Sequence, residues 1–140
     1  MAGEESRVVS GLRRLQVWLW IVAAVQMSAI AAVMMPRSWM DQCGDWMGVG
    51  GMPAGPLSGY LARLSSAMYV VHGMIVGWVA KSLPKTWEMV GPLVWTTVGL
   101  GLMMVWVDLI EGMPWVWGTV EAVALFGSAA ITWLLARRAT

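Results

Sequence analysis

One uninterrupted apolar run constrains this chain more than anything else in it. From Leu15 to Met35 the sequence reads LQVWLWIVAAVQMSAIAAVMM, 21 residues without a charge. A helix of that length, rising about 1.5 Å per residue, crosses the roughly 30 Å hydrocarbon core of a bilayer. Arg13 and Arg14 precede the run and Pro36, which cannot continue a helix, ends it. The basic start and the small-residue SAIAA have the look of a secretory signal. A signal core, however, spans only about 7–15 residues, so the segment is expected to be retained.

Three further apolar stretches follow. One covers about 60–80 and carries Arg63 and His72; one covers about 89–110 with Asp108 near its end; one covers about 118–136, with Glu121 near its start and Arg137-Arg138 after it. Backbone exposed to lipid must satisfy its own hydrogen bonds, which selects helices. A β-barrel would show alternating strands of about ten residues, and none is present. The expectation is therefore all-α: a four-transmembrane-helix bundle, a single membrane domain over 1–140, with spans at about 15–35, 60–80, 89–110 and 118–136. Composition agrees. Hydrophobic residues make up 59% and charged residues 12%, against about 25% charged in soluble domains. So few charges cannot coat a water-exposed globule. Eleven Trp suit the bilayer interface and thirteen Met suit adaptable apolar packing.

The interfacial loop 36–59 reads PRSWMDQCGDWMGVGGMPAGPLSG. Trp39, Met40, Cys43, Trp46 and Met47 recur at helical spacing, while Arg37, Asp41 and Asp45 form another stripe. That predicts a short amphipathic helix on the outer surface, followed by a turn-rich return. Across four crossings, Arg7, Arg13, Arg14, Lys81, Lys85, Arg137 and Arg138 share one side, against only Arg37 and Arg63 on the other. The positive-inside tendency then places both termini in the cytoplasm, in a bacterial inner membrane.

Charge and cysteine content exclude some functions. A net charge of +1 offers no basic stripe for nucleic acid. One Cys and one His exclude an internal disulfide and a Cys/His zinc cluster. No catalytic or metal-ligating motif is evident, so no enzyme activity and no cofactor is expected. Copper(I) on Cys43 and the nearby Met34, Met35, Met40, Met47 and Met52 is the alternative for a soft ion; interfacial packing explains the same residues.

The polar residues near or within spans form the candidate site. Arg63, Asp108, Glu111 and Glu121 fall near the outer ends of spans, and an Arg63 pair with Asp108 or Glu121 is expected there. Such a group either fixes the bundle or gates it, since ionisable residues in a membrane are costly. His72 lies deeper, with Tyr69, Gln26 or backbone as hydrogen-bond partners; packing and proton relay both remain open for it. Gly59, Ser66, Gly73 and Gly77 give a small-residue helix-packing face, internal or between subunits.

The stretches YLARLSSAMYVVHG (60–73) and VDLIEGMPWVWGTVEA (107–122) resemble a family of small uncharacterised bacterial four-helix membrane proteins. The likeness runs from about Pro36 to Arg138. It implies family residues at Arg63, Tyr69, His72, Asp108, Gly112-Met113-Pro114 and Glu121, and it supplies no mechanism. Other small membrane families fit less well. Span 1 has Gln26 where small multidrug exporters need an acid, and a quinone-linked thiol oxidoreductase needs a cysteine pair. The expected function is an accessory or structural subunit of a larger membrane complex, acting by helix packing against lipid, other subunits or itself. The alternative is a small transporter or channel using Arg63, Asp108 and Glu121 with His72 behind them.

Overall fold

The computed structural model describes residues 2–139, with side chains from Val8 onward. Its elements are α1 (Ala2–Met27), α2 (Ile30–Met34), α3 (Arg37–Trp46), α4 (Pro56–Ser82), a 3₁₀ turn (Trp87–Met89), α5 (Val90–Glu111) and α6 (Trp115–Ala139). The described residues form two compact units. One contains residues up to Val22 and from Val76 onward; the other is Ala23–Ile75.

Local chemistry sets the ends of these helices. The first apolar run breaks after Met27, where Ser28 donates its hydroxyl to the Val25 carbonyl (2.6 Å) and Ala29 N–H tightens onto Gln26 (3.1 Å). Side-chain bonding of this kind competes with the helical ladder. Met35 then turns extended (ψ 131°), as a residue before proline must, and α2 stops. At the other end of the chain, α5 terminates on Gly112 in the left-handed region (φ 66°), with Met113 N–H returning to the Asp108 carbonyl (3.0 Å). A glycine there satisfies carbonyls that the helix end leaves open, and Pro114 prevents continuation.

Among the described residues, three stretches are long and apolar enough to cross a membrane: Val8–Met34, Trp87–Glu111 and Trp115–Ala139. Only 11%, 11% and 17% of their most apolar windows are buried within the protein. Their flanks expose Trp106, Leu109, Trp115 and Val123, a surface that water would not tolerate and lipid covers. This chain is a multi-pass membrane protein.

The four-transmembrane-helix bundle expected from the sequence is corrected by this finding. Helix α4 is long enough, at 27 residues, but it does not reach the apolarity of the other three. Arg63, Ser65, Ser66, Tyr69 and His72 all fall in its central turns and dilute the run. What the structure supports is an all-α fold with three helices of membrane length and apolarity, together with shorter helices such as α2 and α3.

In the unit built from both ends of the chain, the buried side chains of the described residues are aliphatic apart from Thr132. Leu15, Leu19, Val76, Val79, Leu93 and Leu125 are all nearly inaccessible. Helices α5 and α6 approach closely at Gly101, where a Cβ would stand 3.0 Å from the Phe126 ring. Gly11 lies against the Arg138 carbonyl and Ala139, so the start of α1 adjoins the end of α6. Hydrogen bonds tie the helices at their inner faces. Gln16 donates to the Ala80 carbonyl (2.8 Å), and the Trp18 indole donates to the Thr132 hydroxyl (2.9 Å).

The Ala23–Ile75 unit is held differently. Its α3 folds back on the 47–55 return, with Gly44 against the Gly50 carbonyl. Gly48 and Gly50 take left-handed φ values of 76° and 77° that make this return possible. Arg37 donates to the carbonyls of Gly55 (2.7 Å) and Pro53, and Asp41 accepts the Met52 N–H (2.9 Å).

Candidate functional site

Arg63 binds backbone carbonyls with all three of its side-chain nitrogens. Its Nε donates to the Val33 carbonyl (3.2 Å), one terminal nitrogen to Met35 (2.9 Å) and the other to Gly59 of its own helix (3.4 Å). The reason lies in α2. A helix end leaves its last carbonyls without amide partners, and Pro36 has no N–H to offer. A guanidinium, with five donors in a fixed fork, is suited to collect them. The sequence pointed to a carboxylate partner; all three nitrogens instead reach backbone carbonyls.

Nearly three turns further along α4 from Arg63, at about 3.6 residues per turn, Gly73 sits tight against α1. A Cβ there would stand 3.0 Å from the Ala23 carbonyl oxygen, Gln26 Cβ and Met27 Cγ. That close approach brings His72 to Gln26, with 2.7 Å between Nδ1 and Oε1. An amide oxygen only accepts, so Nδ1 carries the hydrogen and a neutral ring keeps its lone pair on Nε2. Helix α4 lies outside the three membrane-length stretches, and burial lowers the His72 pKa below 6.5 by desolvating the charged ring. Of the partners left open for His72, the structure has Gln26. Ser66 bonds back to the Ala62 carbonyl (2.9 Å), Gly59 is buried beside Arg63, and Gly77 is buried. Tyr69 is half-buried and has a partner.

The three acids belong to the other unit. Glu111 is exposed at the end of α5, and Glu121 is half-buried and partnered on α6. Asp108 differs from both: its Oδ2 is buried and accepts no hydrogen bond. That oxygen lies 3.1 Å from where a Cβ on Gly118 would stand, so the absent side chain makes room for the carboxylate. Buried polar atoms are satisfied in the large majority of cases, which makes this oxygen notable.

Cys43 is exposed on α3 and lines a hollow of about 270 Å³ with Met35, Trp39, Gln42 and Trp46. Of the sulfur residues weighed for copper(I), Met35 shares this hollow with Cys43. Among the described residues, no three His, Cys, Asp or Glu side chains group as metal ligands.

The Trp18–Thr132 bond was not anticipated from the sequence. Thr132 also donates to the Ser128 carbonyl (2.7 Å), so its hydroxyl is used in both directions. A signal existed: a buried indole needs an acceptor, and Thr132 is the one hydroxyl in the last two turns of α6.

No family model, no curated protein and no solved structure matches this chain. Three helices of membrane length and apolarity among the described residues do not fit a four-helix family, so that resemblance does not hold.

Proposed function

We propose that this chain is an accessory or structural subunit of a larger membrane assembly in a bacterial cytoplasmic membrane, acting by helix packing. One observation carries the proposal: the inward polar side chains act as ties between chain segments. Arg63 gathers the carbonyls at the end of α2, Gln16 binds the Ala80 carbonyl and Trp18 binds Thr132. A transporter needs such groups facing a wet path. Outward, the membrane-length helices offer Trp95, Met103, Trp106 and Val123 to lipid or to neighbouring helices. The end where Gly11 meets Arg138 gathers Arg13, Arg14, Arg137 and Arg138, and the positive-inside tendency turns that end to the cytoplasm.

The test is purification from the native membrane in mild detergent or nanodiscs, with mass spectrometry of whatever stays bound. A defined partner at stoichiometric level is the expected result. A lone monomer or homo-oligomer overturns the proposal.

One observation favours a small transporter or channel, namely the unsatisfied buried oxygen of Asp108. Ion flux in proteoliposomes, abolished by Asp108→Asn, is the result that selects this reading.

A further inference from the structure

A groove of about 510 Å³ runs between α1 and α6, lined by Ser10, Arg13, Arg14, Val17, Trp18, Ile21 and Leu135. Its composition is graded. Two exposed arginines stand at the end nearest the helix start, and the deeper wall is apolar. From Arg14 to Ile21 the helix rises about 10 Å, less than the roughly 15 Å depth of one leaflet's hydrocarbon. The Trp18 ring, fixed by its bond to Thr132, makes that wall rigid. Basic charge extends beyond the groove itself. Gly11 touches the Arg138 carbonyl, so the arginines ending α6 lie at the same end, with Arg137 stacked over Trp133 at 4.6 Å. Another groove, about 470 Å³ between α5 and α6, has no charged side chain in its lining.

We infer that the α1/α6 groove is a binding site for an anionic phospholipid. The phosphate is held by Arg13 and Arg14, and one acyl chain lies along Val17, Trp18, Ile21 and Leu135. Basic pockets between membrane helices recognise acidic headgroups, each Lys or Arg near the surface adding a roughly fivefold preference. Charge selects the lipid; the apolar wall requires that the phosphate arrive with its chain. The inference does not depend on the chain being a subunit of a larger assembly.

The experiment uses the full chain in nanodiscs of equal phosphatidylglycerol and phosphatidylcholine with identical acyl chains. Native mass spectrometry after release reads the lipid retained. The expected result is phosphatidylglycerol retained at about tenfold excess or more. Arg13→Gln with Arg14→Gln brings the ratio down to that of the bulk lipid, whereas Lys81→Gln with Lys85→Gln, removing the same charge elsewhere, leaves it high. Val17→Trp fills the groove and lowers retention with every arginine intact. Equal retention of both lipids by the unaltered chain overturns the inference without recourse to any variant. So does a phosphatidylglycerol preference that survives loss of both arginines, or displacement of the lipid by glycerol phosphate alone. Cross-linking of two copies through Val17→Cys with no lipid retained also overturns it, by giving the groove to a second chain.

Discussion

The two compact units solve the same packing problem with different chemistry. The unit formed by both ends of the chain buries Leu15, Leu19, Val79 and Leu125, and its helices touch through aliphatic volume. In the Ala23–Ile75 unit, Ala23 is the one buried hydrophobic side chain among the described residues, and glycines and arginines take over. There Arg37 and Arg63 hold carbonyls that turns and helix ends leave open, and Gly44 and Gly73 let backbones approach. The difference teaches that removing a methylene and removing a donor should damage different parts of the molecule. Aliphatic packing fails through a cavity, and a guanidinium clamp fails through orphaned carbonyls.

The largest effect is expected from Leu15→Ala. Leu15 is fully buried, and truncation there costs about 3 kcal/mol. Hydrogen exchange read peptide by peptide should rise within the two chain ends and stay near normal over 30–70. Uniform acceleration would erase the distinction between the units. Next comes Arg63→Gln, with an expected loss of about 2 kcal/mol, because a charged donor to several carbonyls is replaced by a shorter neutral one. Faster exchange should then centre on 30–36 and 59–66. A smaller loss, about 1 kcal/mol, is expected for Gly73→Ala, which forces α4 away from Ala23 and Gln26 by a few tenths of an ångström. If it proves neutral in thermal melts, the α1–α4 approach is looser than its geometry implies.

The smallest effect concerns pH. His72 has its folded pKa below 6.5, so the unfolded chain takes up the proton first as pH falls. Its contribution is therefore fully present above about pH 6.5 and is lost as pH drops through the lowered folded value. Melting at pH 7.5 and 5.5 should differ more for the unaltered chain than for His72→Gln. An equal difference would show that other groups govern the acid response.

Much of the scaffold is written in the sequence because it depends on runs and breakers. The apolar stretch ending at Pro36 and the Gly112-Met113-Pro114 turn are readable from residue type alone. Helix α4 misled for the same reason: its length counts as a span, while Arg63, the serines and His72 reduce its apolarity below that of its neighbours. Partners were harder to read than elements. A charge invites a search for the opposite charge, and Arg63 was assigned to an acid. Orphaned carbonyls are invisible in a sequence, since every residue has one and only the fold decides which lack a donor. The Trp18–Thr132 tie joins residues 114 positions apart, a distance over which no periodicity speaks.

The hollow beside α3 has a practical side. Cys43 is the chain's single cysteine and is exposed there, which gives the protein one native address for a thiol reagent. A membrane-impermeant maleimide applied from one face of sealed vesicles would tag every copy whose α3 lies on that face and leave the rest untouched. The geography of the protein in its membrane can thus be read from unmodified sequence.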